Sequence, residues 1–419
     1  MHQARPGRGV LICVVGIFRT LSFWSSPGLH HPGDRNDDGV PCTGVRGLSP
    51  VMRILLLSAY DAASHKIWRE GLVKNLDGYD WTVLTLPPRF FAWRSRGNPL
   101  SWVFGDRDVM EKHYDLIVAT SMTDLAALKG ILPSLGQTPA IVYFHENQFA
   151  YPEQHERKEY QNYKLTNIFT ALAGDRVLFN SRYNMDTFME GAEGLLSVMP
   201  DHVPPGIVES IRTRSEILPV PLERNCYRLG PRASGPIRIV WNHRWEHDKA
   251  PERLLGALYM LREHEVPFHL HMMGQRFRDL PVALIGARER LGDSVKTWGF
   301  VKQVEVYRSI LSSSDLVIST ALHDFQGLAV LEGVAAGCLP LVPDRLAYPE
   351  FIPDQFRYPS FEGDGESEVR VLSEYLEKFC RDPDGTRKIT PPDLSRLSWE
   401  KLGEKYREII NSVTGIWRK

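Results

Sequence analysis

His323-Asp-Phe-Gln-Gly-Leu-Ala-Val-Leu-Glu332 is the stretch on which the reading of this chain turns. In front of it, Asp315 to Thr320 is apolar enough for a buried strand; behind it, the small-residue run Gly327 to Gly337 has the composition of a helix. Asp324 and Glu332 therefore bracket a strand-to-helix turn, the place where open α/β sheets bind ligands beyond the carboxyl ends of their strands. The amide-rich start of such a helix attracts phosphates or sugar hydroxyls. With seven residues between the two acids, one carboxylate sits at the loop and the other about two turns into the helix. So placed, they can hold two parts of one extended ligand. An isolated acidic pair reads as a helix cap and a solvated surface residue. Here the surroundings favour a ligand site, because Gly327 leaves room for backbone close to a ligand. Glu332 also stands among Leu328, Val330, Leu331 and Val334, where a carboxylate without a partner is costly.

Outward from this turn, strands and helices alternate. The apolar runs Ile237 to Asn242, Phe268 to Met273, Val295 to Gly299, Asp315 to Thr320 and Cys338 to Val342 predict one series of buried parallel strands. Helices are expected between them over Glu252 to Glu263, Val304 to Ser312 and Gly327 to Ala336. An earlier series runs through Arg53 to Ala59, Asp80 to Leu86, Asp115 to Thr120, Ala140 to His145 and Asp175 to Asn180, with helices over His65 to Leu76, Arg157 to Ala173 and Arg182 to Glu190. Each series predicts a doubly wound α/β domain. The Arg-, Gly- and Pro-rich stretch Arg224 to Pro236 divides them, and two such domains facing each other enclose a cleft for two substrates. The expected organisation is an acceptor-side domain over 52–223, a nucleotide-binding domain over 236–397 and a last helix over 398–419, beginning Ser-Trp-Glu-Lys, that packs back on the first domain.

Residues 1–51 stand apart. Val10 to Trp24 has the apolarity of a signal peptide, but Arg19 interrupts it and no clear small-residue cleavage site follows before the Gly-, Pro- and Asp-rich run Pro27 to Pro50. The segment is also too short and too broken to span a membrane. Met52 begins a strand at once, so 1–51 reads as a disordered or artefactual extension. The composition of the 419 residues, 43% apolar and 24% charged with a net charge of -1, is that of a globular enzyme without a global attraction to nucleic acid. Any nucleic-acid surface must be local. Five scattered cysteines (Cys13, Cys42, Cys226, Cys338 and Cys380) form neither a disulfide framework nor a metal spacing, which points to a reducing, cytoplasmic compartment.

Trp241-Asn-His-Arg-Trp-Glu-His-Asp-Lys249 follows the first strand of the second series, so Arg244 and Lys249 emerge on the same rim as Asp324. A guanidinium fork and a mobile ammonium suit a diphosphate leaving group. The plainer reading is a pair of surface cations neutralised by Glu246 and Asp248; the acids on the same rim favour the functional one.

An Arg and a Lys after the first strand of the second half, followed by an acid-x7-acid turn, resemble a retaining GT-B glycosyltransferase of the glycogen-synthase-like, family-four type. His145-Glu-Asn-Gln148, Tyr151-Pro152, Phe179-Asn-Ser181, Pro200-Asp-His202, His243-Arg-Trp-Glu-His-Asp-Lys249 and Tyr348-Pro-Glu350 resemble, more closely, the tRNA-queuosine mannosyltransferase family. The similarity runs from Met52 almost to the C-terminus. The resemblance implies transfer of mannose from GDP-mannose to the cyclopentenediol of queuosine at the wobble position of tRNA-Asp, with retention. It also implies that Arg244 and Lys249 hold the diphosphate, that Glu332 binds the ribose hydroxyls, and that Asp324 faces the donor sugar beside Gly327 and Leu328. This chain has the shorter Asp324 where the usual pattern carries glutamate. No metal cofactor is expected, and no Asp-x-Asp sits among these motifs.

The first domain is left to serve the acceptor. Ser64-His65-Lys66 follows its first strand in a Gly-free loop entering a helix, and His145 ends a strand just before the polar cluster Glu146, Asn147 and Gln148. An imidazole there can hydrogen-bond the donor sugar or the reacting hydroxyl and share a proton near neutral pH, or it can be a buried structural histidine. The expected catalytic set is thus His145, Arg244, Lys249 and Asp324. A local RNA surface is expected at Pro88-Arg-Phe-Phe-Ala-Trp-Arg-Ser-Arg96 with Trp102 and Phe104, where Arg89, Arg94 and Arg96 alternate with aromatics that can stack on splayed bases. The plainer reading is a loop whose aromatics pack on the core while its arginines are merely solvated. Two other classes fit less well. A transferase acting on a lipid or small molecule predicts a basic amphipathic helix, and none stands out. A non-catalytic nucleotide- or RNA-binding protein has no need of Arg244, Lys249 and Glu332 together.

Overall fold

The computed structural model describes residues 51–151, 158–277 and 279–417. The extension expected over 1–51 falls, apart from Val51, outside the described residues, as do Pro152 of the Tyr151-Pro152 motif and Arg157 at the start of an expected helix.

Every expected strand forms. The first sheet contains β1 (Met52–Ser58), β2 (Tyr79–Thr85), β3 (Leu116–Thr120), β4 (Ala140–Phe144), β5 (Arg176–Phe179) and a short β6 (Ser215–Ile217). All its pairings are parallel, in the order β2-β1-β3-β4-β5-β6. The second contains β7 (Ile237–Trp241), β8 (Phe268–Met273), β9 (Val295–Gly299), β10 (Leu316–Ile318), β11 (Leu339–Pro343) and a two-residue β12 (Arg357–Tyr358), all parallel in the order β12-β11-β10-β7-β8-β9. Two doubly wound sheets are the expected fold class.

Burial follows position in the sheet. The central strands β3, β4, β10 and β11 are buried at every residue, as parallel strands covered on both faces must be, whereas the edges β2 and β6 are half-exposed. In the first sheet the strand period of two sends Leu55, Leu57, Ile117, Ala119 and Val142 to one core. Ile54, Leu56, Leu116, Val118 and Tyr143 go to the other, which is closed by Trp68 and by Trp399, Tyr406, Ile409, Ile410 and Val413 of the helix Trp399–Trp417. The last helix thus packs on the first sheet, and Trp68 donates its indole N–H to the Tyr406 hydroxyl at 3.0 Å.

In the second sheet the strand order reverses between β7 and β10, the switch point at which such sheets open a crevice. The loops leaving these two strands, 242–249 and 319–327, carry the cationic and acidic motifs. They are knit together there: the Thr320 hydroxyl donates to the Lys249 carbonyl at 2.8 Å, and the Leu322 amide to the Asp248 carbonyl at 2.8 Å.

Candidate active site

Lys249 lies at the centre of the second rim. Its ammonium is buried, donates to the His323 carbonyl, and stands 3.2 Å from Asp248 Oδ2 and 3.6 Å from Asp324 Oδ2. The other oxygen of Asp324 accepts the Gly327 amide at 2.9 Å, so this residue both shapes the helix start and faces the lysine. Burial pushes the Asp324 carboxyl upward, but Lys249, His243 and the Gly327 amide outweigh it and hold the group below the usual range. Flanking imidazoles stay neutral: burial and the nearby ammonium bring His243 and His323 each down to about 4. Arg244 behaves differently. Its side chain is 53% exposed and meets Glu246 at 2.8 Å, a pairing solvent keeps weak and exchangeable.

Gly327 also has a packing reason. Its φ is +76°, and an added Cβ would fall 2.7 Å from the Tyr348 ring. The space beside its backbone holds that aromatic, whose hydroxyl meets Ser319 at 2.6 Å, and so the glycine serves packing behind the turn.

Glu332 has the partner its apolar surroundings demand. The Tyr307 hydroxyl donates to Glu332 Oε2 at 2.7 Å, and the Asn242 amide donates to Tyr307 at 2.9 Å and to the Ala329 carbonyl at 2.8 Å. Burial keeps the Glu332 carboxyl above its ordinary value even so. Asn242 and Tyr307 escape sequence reasoning: Tyr307 sits on the helix Val304–Ser312 with no local motif, and only the crossing of two elements brings it to the acid.

The first domain presents an imidazole stack. His65, in the first turn of the helix Ala63–Asn75, lies 4.2 Å from the His145 ring at an interplanar angle of 22°. Its Nε2 pairs with Glu146 Oε2 at 3.0 Å. Trp68 and Tyr143 pack against His145, with centroids 4.9 and 4.7 Å away, so the helix Trp399–Trp417 braces the stack through Tyr406. Burial and the stacked His65 hold the His145 imidazole well below its ordinary value. Among the described residues neither of its ring nitrogens has a partner, nor has His65 Nδ1, and all three atoms are fully buried. For Glu146, burial pushes the carboxyl upward, but His65, Arg244 and His323 prevail and leave it ionised. The last two belong to the other domain, so this carboxylate faces the cleft. Tyr151, at 4.3 Å from the His323 ring, joins the two walls directly.

Other expected residues stay out of this cluster. Asn147 is fully buried, donating to the Asn184 and Thr187 side chains while its Oδ1 accepts the Phe149 and Ala150 amides. Gln148 is buried against Asn167 and Met122. Ser64 is half-buried, and Lys66 points to solvent, 3.8 Å from Glu70. The stretch from Pro88 forms, from Phe91, a helix to Gly105 rather than a loop. Trp102 enters the core, whereas Phe90, Trp93 and Phe104 are 72%, 52% and 71% exposed. Arg89 lies over the Phe90 ring at 5.7 Å, and Arg94 is half-buried. Arg96 meets Asp124 at 2.6 Å while keeping 55% of its side chain exposed. Phe91 touches Tyr60 edge-on at 5.8 Å, which brings this surface to the mouth of the cleft. Among the described residues no three His, Cys, Asp or Glu side chains converge as a metal site, and no helix is long and apolar enough to cross a membrane.

Two parallel sheets with a cationic, acid-rich switch point define a GT-B glycosyltransferase. Residues 230–390 match the family model described as glycosyl transferases group 1. The fold is shared with HepE of Anabaena in complex with UDP and glucose, at a TM-score of 0.62, 14% identity, and coverage of 86% of this chain and all of that one. It is shared also with the sucrose-phosphate synthase of Thermosynechococcus elongatus, at 0.61, 13% identity, and coverage of 86% of this chain and 100% of that one. Residues 53–222 match the model of the tRNA-queuosine alpha-mannosyltransferase N-terminal region. The tRNA-queuosine alpha-mannosyltransferase of Drosophila melanogaster is 32% identical over 374 residues, 85% of this chain and 96% of that protein. The chain belongs to the tRNA-queuosine alpha-mannosyltransferase family.

Proposed function

We propose that this enzyme transfers mannose from GDP-mannose to queuosine at the wobble position of tRNA-Asp, with retention of the anomeric configuration, in the cytoplasm. The observation that carries the reading is the juxtaposition of the buried Lys249–Asp324 pair and the exposed Arg244 with an imidazole wall on the opposite domain. A mannosyl diphosphate donor supplies what the cations lack. Arg244 exchanges Glu246 for phosphate oxygens, and Lys249 supports the charge that develops on the leaving group. Glu332, held by Tyr307, receives the ribose hydroxyls. Asp324 faces the sugar, and the diphosphate is assigned to side-chain cations without a bound metal ion.

In this mechanism the acceptor hydroxyl approaches the anomeric carbon on the face from which the phosphate departs. The new C–O bond forms as the old one breaks, and the hydroxyl proton passes to the departing phosphate oxygen. His145, whose imidazole burial keeps neutral, is assigned the hydrogen bond to the sugar or the incoming hydroxyl. The exposed aromatics and arginines at Phe90, Trp93, Arg89, Arg94 and Arg96 offer stacking and phosphate contacts to an anticodon loop. The buried free thiols of Cys226, Cys338 and Cys380 accord with a reducing compartment.

The test is intact-nucleoside mass analysis of queuosine-containing tRNA after incubation with the enzyme and GDP-mannose, with UDP-glucose as control. A hexose on queuosine with GDP-mannose alone is the expected result. No addition, alongside tight nucleotide binding, would remove the acceptor assignment and leave the transferase.

A further inference from the structure

Glu146 has no role in the proposed mechanism, yet it is an ionised carboxylate on a wall opposite the cations assigned to the donor. Its side chain is 16% exposed, and among the described residues its close hydrogen-bond partner is His65 Nε2 at 3.0 Å. Arg244, across the cleft, also helps to keep it ionised. Once a diphosphate occupies Arg244, that guanidinium charge is taken up by phosphate oxygens. Glu146 then faces new negative charge with one imidazole beside it, and a poorly solvated carboxylate in that position calls for a cation from the side still open. That is the acceptor side. Nδ1 of His65 and both nitrogens of His145 are buried beneath the carboxylate, so Glu146 is the polar group through which these three residues meet the cleft. A ligand that completes this wall carries a positive charge.

Queuosine has that chemistry: its cyclopentenediol is attached through a secondary amine, which is protonated near neutral pH and which guanosine lacks. Resting on the queuosine reading above, we infer that Glu146, oriented by His65, binds the ammonium group of the acceptor's side chain and is the residue that distinguishes queuosine from unmodified guanosine. Donor occupancy of Arg244 strengthens this contact, because it removes the competing cation.

The experiment measures equilibrium binding of the GDP-loaded enzyme to tRNA-Asp carrying queuosine and to the same tRNA carrying guanosine. The wild-type enzyme is expected to prefer the queuosine form. Glu146→Gln removes the charge at nearly constant shape, and the preference should fall about 10- to 100-fold, the scale of one charge-assisted hydrogen bond. Affinity for the guanosine form should hold, which also reports an intact fold. His65→Phe, which leaves Glu146 unheld, should lower the preference in the same sense by a smaller factor. Equal weakening of both tRNAs by Glu146→Gln, or an unchanged preference, would overturn the inference while leaving the transferase reading standing. A wild-type enzyme that does not prefer queuosine would instead remove the parent reading, and this inference with it.

Discussion

The two walls of the cleft are both carboxyl edges of all-parallel sheets, yet they use their polar atoms differently. On the second sheet, Lys249 is matched by Asp248 and Asp324, Arg244 by Glu246, and Glu332 by Tyr307, while Asn242 Oδ1, Trp245 Nε1 and the Nε2 atoms of His243 and His323 are left over. On the first, a stacked pair of imidazoles is buried with three nitrogens unpartnered beside an ionised Glu146. In the proposed reading the second wall is assembled in advance and exchanges internal ion pairs for phosphate contacts. The first wall, in the same reading, is completed by the acceptor, since Glu146 is a poorly solvated carboxylate with a single imidazole beside it. This separation matches a reaction in which the common donor is held the same way each turnover, while selectivity lies in the acceptor.

The largest effect is expected at Lys249. Lys249→Ala should lower kcat/KM for the donor by about 100-fold or more, the scale of losing one group that stabilises transition-state charge. It should also lower Tm, because Asp248 and Asp324 lose a shared buried cation. Steady-state kinetics at saturating tRNA would show it, and normal turnover would remove the phosphate-clamp role.

The proposed RNA surface should respond next. Arg94→Gln with Arg96→Gln is expected to weaken tRNA binding about 10-fold and to flatten the log–log salt dependence by about two counterions. Binding unchanged across a salt series would contradict that surface. Tyr307→Phe should weaken GDP binding several-fold, because Glu332 loses the hydroxyl that orients it, with a stability loss of about 1 kcal/mol. Titration calorimetry reads both sides of that comparison, since tRNA affinity should not follow.

The smallest effect is a pH dependence of stability. His243 and His323 have folded-state pKa values near 4, below the ordinary imidazole value of 6.5. The unfolded chain therefore binds more protons between these limits, so stability is full above pH 6.5 and declines as pH falls toward 4. Tm measured from pH 8 to pH 4.5 should be level at first and then drop. A Tm that rises on acidification would place these imidazoles in a different environment.

Much of this was legible in the chain because parallel strands buried on both faces write continuous apolar runs, and the motifs follow those runs directly. What escaped had a common cause, contacts made only when distant elements meet. β6 and β12 are three and two residues long, too short for a period. The helix Phe91–Gly105 was hidden by Pro99 in its interior and by Phe90 at a φ of +54° before it. Glu350 of the Tyr348-Pro-Glu350 motif caps the helix Arg182–Ser197 by accepting the Arg182 and Tyr183 amides at 2.7 and 2.8 Å, a link between domains that no local pattern announces. Gln326 likewise clasps the backbone of Val220 through both ends of its amide, fastening the connecting chain to the acidic turn. Asn147 and Gln148 share the polar appearance of Glu146 in sequence, and only their neighbours reveal that they shape the loop.

The measurement that tests the division of the cleft most directly is the affinity for GDP of Lys249→Ala and Glu146→Gln, compared side by side with the wild-type enzyme by titration calorimetry. The account predicts that the lysine variant loses at least about 10-fold in affinity and that the glutamate variant binds GDP as well as the wild type or slightly better, since a facing negative charge has been removed. Loss of GDP affinity in Glu146→Gln comparable to that in Lys249→Ala would contradict it, and would make the first wall part of the donor site.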